Sequence, residues 1–457
     1  MNLILLSGGS GKRLWPLSND SRSKQFLKFM ENNGKLESMV QRVWRQLKKL
    51  QLNESTVIAT SKSQVEMIQS QIGNDIPLII EPERRDTFPA IVLAATYLYS
   101  VKNISLKEVI GVLPVDPFVD ISFFKKIMNL ENTLKTSNAD LGLIGVKPTH
   151  PSEKYGYMVP LEETEYEYMQ VSHFKEKPSE SEARELMDQN ALWNCGVFAF
   201  KLEYIISPLE IKGLPIQYEE LLNNYHKLEN TSFDYAVVEK ADKIVALPYN
   251  KDWKDIGTWN TLTEEMATNQ IGRGIISDDS TNTHLVNELE IPIIVLGIKN
   301  AVIAASPDGI LVTDKEASPR IKEVLKDFKQ RPMYEEHRWG WYKVLDYTKE
   351  EENEVLTKKI FVKAGNNLSY QKHYARSEVW TIIKGEGEFA LDDEIRLVKP
   401  GDVLLITAGS KHGIKATTDL EFIEVQTGSK LIEEDIEHIF INWDEVKSCC
   451  KLPLISI

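Results

Sequence analysis

The residues that could do phosphate chemistry in this chain lie near its beginning. A short apolar run, residues 3–6, leads into Gly8-Gly9-Ser10-Gly11-Lys12-Arg13. Glycines let backbone N–H groups approach phosphate oxygens closely, and lysine and arginine supply positive charge. The run therefore predicts a phosphate-binding turn after a buried strand. Two common phosphate-binding turns are excluded, because Leu6 occupies the first glycine position of a Walker loop and Leu14 the third of a dinucleotide-binding fingerprint.

Two aspartates further along the chain could hold a metal ion beside such a turn. Asp116 follows the apolar run 109–113, and Asp255 lies in a tryptophan-flanked segment. Mg²⁺ prefers one or two carboxylates together with phosphate oxygens and waters, and a position just past a strand end suits this role. Taken singly, each aspartate could equally form a turn. Lys24 could add a further cation to the glycine-rich turn.

A second group of potential metal ligands lies near the C-terminus. Gln371, His373 and Glu378, with Gly385 seven residues later and His412 beyond it, resemble the metal motif of a cupin. Neutral imidazoles and a carboxylate on adjacent strands of a small barrel can converge on one divalent ion. We expect a divalent metal such as Zn²⁺ or Co²⁺ there.

The elements that must position the first group alternate along about the first 260 residues. Apolar spacing predicts a helix over residues 36–50, and Pro89 is predicted to begin another. Strand-length apolar runs occupy residues 2–6, 56–60, 77–80, 109–113 and 141–146. This order predicts a mainly parallel sheet covered on both faces. Ligands of such sheets bind at the carboxyl ends of the strands, which is where the glycine-rich turn lies.

The pattern changes twice after that region. Residues 270–330 combine short β runs with turn residues and one predicted helix, roughly 319–329. From about 331 onward short apolar runs are separated by glycine and proline, which predicts a β sandwich or barrel. Those runs span residues 359–363, 379–384, 387–391, 403–406 and 421–426. We therefore expect three domains, over residues 1–265, 266–330 and 331–457.

Composition limits the classes of function. The chain has 457 residues, a net charge of -14 and three cysteines. The negative charge argues against nucleic acid as a partner, since phosphate backbones favour basic surfaces. No apolar stretch approaches a membrane span and we predict no signal peptide, so we expect a cytoplasmic protein without a membrane partner. Cys195 lies in an apolar run and is expected to pack as a small hydrophobic residue.

The opening run, with Leu-Trp-Pro-Leu-Ser and Lys24-Gln25-Phe26 after it, resembles the sugar-1-phosphate nucleotidyltransferases, and in particular their mannose-1-phosphate guanylyltransferase branch. Further matches follow in the family's order across about 260 residues. The resemblance implies a Rossmann-like α/β nucleotidyltransferase domain, a small β-rich connecting domain that supports a homodimer, and a C-terminal all-β cupin barrel.

The resemblance also implies roles for individual residues. Asp116 and Asp255 would coordinate Mg²⁺, and Arg13 and Lys24 would act on the phosphates with them. The glycine-rich turn, residues 8–13, would bind the nucleotide. The run 81–90 resembles the segment facing the nucleotide base, with Glu81 and Arg85 as nucleotide ligands. The sugar phosphate would be bound by Gly156, Glu176, Lys177, Asn194 and Asp234.

The implied reaction joins mannose 1-phosphate and GTP to give GDP-mannose and pyrophosphate. The C-terminal third resembles the phosphomannose isomerase domain of bifunctional relatives, with Gln371, His373, Glu378 and His412 as the cupin metal ligands. Two departures from that domain matter. Only His373 remains of a histidine run, and the C-terminal arginine segment is replaced by residues 436–442. We therefore expect a metal-binding cupin without isomerase activity.

Three alternatives stay open at this point. The chain could keep both activities, interconverting fructose 6-phosphate and mannose 6-phosphate as well. It could use another sugar 1-phosphate or another nucleotide, since Asp86 and Pro117 replace the asparagine and histidine usual in the family. It could also be a non-catalytic sensor of sugar nucleotides.

Overall fold

The computed structural model describes residues 1–9, 11–19, 21–161, 167–328, 330–432 and 435–451. The chain forms two compact units. The first comprises Met1–Leu14 and Ser23–Asn269, and the second comprises Trp15–Arg22 and Gln270–Ile457. The division into three domains stays a prediction, with residues 266–330 and 331–457 both falling almost wholly within the second unit.

The first unit is built on a nine-stranded mixed sheet with helices on both faces. Its strands are β1 (Asn2–Ser7), β2 (Lys28–Asn32), β3 (Lys35–Ser38), β4 (Thr56–Ser61), β5 (Leu78–Glu81), β6 (Val109–Pro114), β7 (Pro117–Phe118), β8 (Leu141–Val146), β9 (Tyr157–Pro160), β10 (Met169–Lys175), β11 (Leu192–Lys201), β12 (Ile244–Pro248) and β13 (Lys254–Asp255). Its helices are α1 (Met39–Lys49), α2 (Val65–Ile72), α3 (Thr87–Ser100), α4 (Ile121–Ser137), α5 (Glu180–Asp188), α6 (Glu203–Ile211), α7 (Tyr218–Asn223), α8 (Phe233–Ala236) and α9 (Trp259–Glu265).

The large sheet has the strand order β5-β4-β1-β6-β11-β8-β12-β10-β9. Strands β5, β4, β1 and β6 are parallel, as are β8 and β12, whereas β11 runs antiparallel to both β6 and β8. Alternate residues of β1 enter different apolar cores, Leu3 and Leu5 on one face and Ile4 on the other. The carboxyl ends of the parallel strands therefore share one edge, which is the arrangement the sequence predicts.

The five predicted strands of this unit are confirmed to within one or two residues, and buried Cys195 packs as expected. The helix predicted for 36–50 begins only at Met39, because residues 35–38 pair with β2 and Ser38 caps the helix. Leu36, counted on the helical face, is 42% exposed. The next helix begins at Thr87 rather than Pro89, since the Asp86 carboxylate accepts a hydrogen bond from the Thr87 N–H.

The second unit is mostly β. Its strands are β14 (Gln270–Ile271), β15 (Gly274–Ile276), β16 (His284–Asn287), β17 (Ile293–Val295), β18 (Ala301–Ser306), β19 (Gly309–Asp314), β20 (Tyr334–His337), β21 (Gly340–Glu350), β22 (Asn353–Val362), β23 (Tyr370–His373), β24 (Arg376–Lys384), β25 (Gly387–Leu391), β26 (Glu394–Val398), β27 (Val403–Ile406), β28 (His412–Ala416), β29 (Leu420–Gly428) and β30 (Ile436–Phe440). Its helices are α10 (Ile321–Val324) and α11 (Trp443–Cys449).

Strands β20 to β30 form two antiparallel sheets around one apolar core, so the β prediction is confirmed for residues 334–440. The all-β prediction is wrong at α11, which the Asn442 side chain caps and which buries Trp443 and Val446. One sheet has the order β20-β21-β22-β29-β24-β27 and the other β26-β25-β28-β23-β30. The helix predicted for 319–329 is shorter than expected. A 3₁₀ turn precedes it, and the α-helix spans only Ile321–Val324. No helix among the described residues is both long and apolar enough to cross a membrane.

Candidate functional site

The glycine-rich turn follows β1 at the carboxyl edge of the large sheet, as predicted. Gly9 has φ +108°, which side chains other than glycine rarely tolerate. The turn is fastened from behind, because the Ser23 hydroxyl donates to the Gly9 carbonyl at 3.1 Å and Gln64 donates to Ser23 at 2.8 Å. Residues Lys12–Leu14 form one 3₁₀ turn, and the Arg13 side chain is exposed. Ser10, one of the predicted nucleotide ligands, lies outside the described residues.

Asp116 and Asp255 meet at this edge through two short strands. β7 pairs antiparallel with β13, which places Asp255 opposite Pro117 and next to Asp116. The Lys24 ammonium lies between the carboxylates, 2.9 Å from Asp116 Oδ2 and 3.0 Å from Asp255 Oδ1. Residues that are 231 positions apart in sequence thus form one cluster of alternating charge.

Electrostatics favour the charged forms of Lys24 and Asp255. Burial alone would lower the pKa of the Lys24 ammonium, but the two carboxylates outweigh burial and raise that pKa. Burial likewise opposes ionisation of Asp255, yet Lys24 and Arg13 lower the pKa of its carboxyl group. Arg13 and Asp255 both lie beside Gly257, because a Cβ added there would make ordinary contacts of 3.5 Å with Arg13 Nη1 and 3.4 Å with Asp255 Oδ1. Two carboxylates already balanced by a cation are a donor set that fits Mg²⁺.

A second cluster contains the residues expected to bind the sugar phosphate. The Asn194 amide donates to Asp234 Oδ1 at 2.8 Å and accepts from the Gly196 N–H at 3.0 Å. Lys177 Nζ lies 2.8 Å from Glu176 Oε1. Burial and the nearby Glu176 charge raise the pKa of Asp234 to about 7. The four polar side chains therefore form one charged, half-buried patch.

Gly156 allows this patch to form. A Cβ at Gly156 would lie 2.3 Å from Phe174 Cζ and 2.6 Å from Glu176 Oε2, which is too close for any side chain. Its carbonyl accepts from the Asn194 N–H at 2.8 Å. The glycine thus lets three segments that are distant in sequence approach one another.

The two residues expected to face the nucleotide base are placed differently from each other. Glu81 ends β5 and is buried, where it accepts a 2.8 Å hydrogen bond from the Tyr225 hydroxyl. Burial raises the pKa of Glu81. Arg85 lies on the surface loop that follows and donates to Glu83 Oε1 at 2.8 Å. Tyr225 carries no local sequence signal for this role, since it lies 144 residues from Glu81.

In the second unit, His373, Glu378 and His412 converge as the motif predicts. Candidate ligand atoms of the three residues lie within 4.8 Å of one another. Glu378 Oε1 is 3.3 Å from His373 Nε2, and Glu378 Oε2 is 3.5 Å from His412 Nε2. The cluster joins the two sheets, because His373 and His412 lie on one sheet and Glu378 on the other.

The hydrogen bonds and burial of the two histidines suit metal ligands. His412 Nδ1 donates to the Ser410 carbonyl at 3.0 Å, so the lone pair of the neutral imidazole lies on Nε2. That Nε2 is buried and has no hydrogen-bond partner among the described residues. Burial, together with the charge of Arg376 and the neighbouring His412, lowers the pKa of His373 to about 4. A lone pair aimed at a carboxylate calls for a cation between them, so these residues fit a divalent metal.

Gln371, which is predicted as a metal ligand, and Arg376, which the motif did not assign, complete the cluster. The Gln371 amide N–H lies 3.3 Å from His373 Nε2, while its oxygen accepts from Ser369. Arg376 lies 3.0 Å from Glu378 Oε1 and 3.2 Å from His373 Nε2. Metal binding at His373 would replace these contacts. The two-residue spacing of Arg376 and Glu378, which puts both on one side of a strand, is a signal that could have found Arg376.

Two buried residues of β29 extend the cluster. Glu424 accepts from the Trp380 indole and from Gln426, each at 3.0 Å. Burial and the Glu378 charge raise the pKa of Glu424. Gln426 also donates to Glu378 at 3.3 Å, so Glu378 is held by contacts from several strands.

Comparisons with known proteins agree with both regions. The family model described as nucleotidyl transferase matches residues 2–270, and the model described as mannose-6-phosphate isomerase C-terminal matches residues 327–440. A mannose-1-phosphate guanylyltransferase of Salmonella muenchen is 29% identical over 95% of this chain and 96% of its own length. The xanthan biosynthesis protein XanB of Xanthomonas campestris pv. campestris (strain B100) is 30% identical over 95% of this chain and 97% of its own.

A solved structure points the same way. The Thermus thermophilus protein named mannose-1-phosphate geranyltransferase is 27% identical, with a TM-score of 0.58 over 72% of this chain and 99% of its own length. The predicted fold classes, a Rossmann-like α/β region followed by a cupin, are thereby confirmed.

Proposed function

The chain belongs to the nucleotidyl transferase family, and from this premise we propose that it transfers GMP from GTP to mannose 1-phosphate. A phosphate oxygen of the sugar phosphate attacks the α-phosphorus of GTP in line. The bond between the α-phosphorus and its bridging oxygen breaks, and pyrophosphate leaves as GDP-mannose forms. The attacking phosphate is already ionised, so no protein nucleophile or general base is needed.

One observation carries this proposal: Asp116 and Asp255 meet on the Lys24 ammonium directly beside the glycine-rich turn. Positioning and charge stabilisation do most of the work in phosphoryl transfer, and this cluster supplies both. The presence of both carboxylates favours an enzyme over a sugar-nucleotide sensor. Full-length similarity to proteins named mannose-1-phosphate guanylyltransferase supports the choice of substrates.

The residues around the triphosphate have distinct roles. Backbone N–H groups of Gly8, Gly9 and Gly11, with Ser10, would face the phosphate oxygens. Lys12, Arg13 and Lys24 would supply positive charge there. Asp116 and Asp255 would hold Mg²⁺, which when bound offsets the negative charge that develops on the leaving pyrophosphate. Lys24 would then be free to turn from the carboxylates to a phosphate.

The second cluster would orient the sugar phosphate. Glu176, Asn194 and Asp234 present hydrogen-bonding groups to the mannose hydroxyls, and Lys177 a cation to the phosphate. Glu81, held in place by Tyr225, and Arg85 would face the guanine base. Asp86 adds negative charge near Glu81, Glu176 and Asp234.

For the second unit we propose a divalent metal, such as Zn²⁺ or Co²⁺, on His373, Glu378 and His412, with Gln371 beside them. The buried lone pair on His412 Nε2 supports this proposal. Residues 436–440, which replace the family's arginine segment, form β30 against β23 and include no arginine. We therefore propose that this cupin acts without isomerase activity.

We further propose that the protein is cytoplasmic and forms a homodimer through its small β region. Ile294, Leu296, Ile310 and Val312 of that region are 58% to 67% exposed, which is costly for apolar side chains in water. Light scattering after size exclusion should report twice the chain mass. The double variant Ile294→Lys with Val312→Lys should run as a monomer, and an unchanged mass would contradict this interface.

A paired assay on one purified sample tests the function. Pyrophosphate release is followed with GTP and mannose 1-phosphate, and then with other nucleotides and sugar 1-phosphates. Interconversion of fructose 6-phosphate and mannose 6-phosphate is followed with added divalent metals. We expect the first activity and not the second. Faster turnover of another substrate pair would replace the proposed one, and isomerase activity would show that other residues substitute for the missing arginines.

A further inference from the structure

A cavity of about 640 Å³ opens in the first unit between α3, α6 and the segment that ends with α8. Its volume lies within the roughly 300–1,000 Å³ of small-molecule sites. None of its lining residues belongs to the two charged clusters described above. The cavity is therefore a separate feature of this unit, on the face of the sheet that α3 and α6 cover.

The lining has an apolar floor and a basic rim. Phe88, Val92, Ile205 and Leu209 are buried or half-buried and form part of the floor. The rim consists of three exposed lysines and two glutamates, namely Lys212, Lys227, Lys240, Glu203 and Glu229.

The balance of charge at this rim is positive. None of the three lysine ammonium groups forms an ion pair within the part of the chain that the structure describes. Glu203, in contrast, already has Lys201 at 3.8 Å. An apolar floor below uncompensated ammonium groups is complementary to a small molecule with an apolar body and an acidic group.

Two segments that line this cavity, the start of α3 and α8, lie next to residues of the candidate site. Ala236 lines the cavity, and Asp234 lies two residues earlier on α8, where it accepts from Asn194. Phe88 lines it as well, and its N–H donates to the Thr231 carbonyl at 3.2 Å. The Phe233 N–H donates to Thr87 Oγ1 at 2.8 Å, so hydrogen bonds join the start of α3 to the start of α8 and the segment before it.

We propose that this cavity is a second binding site, for a small amphipathic anion with a carboxylate, sulfonate or phosphate group, and that its occupancy restrains residues 228–237. The bound molecule would fill the space behind α8 and so fix the position of Asp234. Binding of the anion in this cavity does not require the transfer reaction, and only the kinetic part of the test rests on the proposed function.

The probe is 8-anilinonaphthalene-1-sulfonate, an aromatic sulfonate whose fluorescence rises in apolar sites, titrated into the full chain. Ser207 lines the cavity and is exposed, so Ser207→Trp should fill it and weaken binding at least about tenfold. Lys212→Glu combined with Lys240→Glu should weaken binding about fivefold, the scale of exposed ion pairs. The matched control is Lys125→Glu, an exposed lysine of α4 outside the cavity, which should leave binding unchanged.

The outcomes separate clearly. Equal affinity in all four proteins, or full displacement of the probe by GTP, would overturn the proposal. If Ser207→Trp loses its native circular dichroism spectrum, the exposed lysine pair still decides the result. Saturating probe should also slow amide hydrogen exchange of residues 228–237 in the parent chain and not in Ser207→Trp. Unchanged exchange in the parent would overturn the proposed restraint.

The kinetic arm measures the KM for mannose 1-phosphate with and without the probe. We expect a shift in the parent chain and none in Ser207→Trp. A protein that binds the probe in this cavity but releases no pyrophosphate would contradict the proposed transferase function and leave the binding site established. Transferase activity without probe binding would contradict the binding site and leave the proposed transferase function in place.

Discussion

Asp116 and Asp255 in the first unit and Glu378 in the second are all held by cations or imidazoles, but in different surroundings. The first two side chains are 28% and 36% exposed, and they share Lys24 as a partner. Glu378 is 1% exposed and contacts His373, His412, Arg376 and other donors inside the barrel. One cluster borders water and the other is enclosed by two sheets.

The difference matters for what each cluster can exchange. Water can stabilise half-exposed carboxylates when a cation leaves, so the first cluster suits a metal that arrives and departs with a nucleotide. A buried carboxylate that lost its cations would carry the full cost of desolvation. The cluster around Glu378 therefore suits a permanently bound ion. Four predictions test this contrast, from the largest expected effect to the smallest.

Removal of either carboxylate of the first cluster should have the largest effect. Asp116→Ala and Asp255→Ala should each lower kcat for pyrophosphate release by about 10³, because a charge that stabilises the transition state is lost. Asp252→Ala, an exposed aspartate three residues before Asp255, is the matched control and should retain full turnover. Unchanged turnover in both variants would show that this pair does not hold the metal.

In the cluster around Glu378, removal of a metal ligand should weaken metal binding and leave GMP transfer unchanged. Co²⁺ titrated into chelator-treated protein should bind at one site, and His412→Ala should weaken that binding by at least about a hundredfold. His438→Ala, an exposed histidine of β30 outside the triad, should bind Co²⁺ normally. Equal Co²⁺ affinity in both variants would remove the distinction between the two clusters.

Burial of His373 predicts a pH dependence of stability for the second unit. Its pKa is lowered to about 4 in the folded protein, below its ordinary value of 6.5. Between these values the unfolded chain binds a proton that the folded chain does not, so stability falls as pH falls. For metal-free protein the contribution of His373 to the free energy of unfolding should drop by roughly 2 kcal/mol between about pH 7 and about pH 5, whereas the raised pKa of Glu424 acts in the opposite direction over the same range.

Urea unfolding at the two pH values checks this loss, with hydrogen exchange of the β23 and β28 amides identifying the unit. His373→Gln removes the His373 contribution, because glutamine does not titrate, and keeps that of Glu424. The stability of the parent relative to His373→Gln should therefore fall between about pH 7 and about pH 5. A difference between the two proteins that is the same at both pH values would mean that His373 is readily protonated in the folded protein.

The smallest effect is expected at the sugar-phosphate patch. Gly156→Ala would push its Cβ against Phe174 and Glu176, which should raise the KM for mannose 1-phosphate about tenfold. Ser172→Ala, at an exposed position of β10 outside this patch, should leave this KM unchanged. Equal values for the two variants would mean that the close approach at Gly156 does not position Glu176.

Much of this arrangement could be predicted from local pattern. Apolar runs and turn residues predicted the strands that end at the carboxyl edge of the large sheet, because strand burial and turn formation depend on a few neighbouring residues. The helix near residue 36 was predicted to begin too early, because the periodicity could not show that Lys35–Ser38 pair with β2. Likewise the Asp86 cap moved the start of α3 ahead of Pro89.

The sequence by itself therefore determined the order of the predicted strands, the glycine-rich turn and the residue types of the candidate ligands in both units. Only the tertiary structure decided which polar groups pair with one another: Lys24 with Asp255, 231 residues apart, and Glu81 with Tyr225, 144 residues apart. It also placed Arg376 against Glu378 and opened a basic-rimmed cavity behind α8. Local propensities act over a few neighbouring residues, whereas these contacts depend on how strands and helices far apart in the chain pack together.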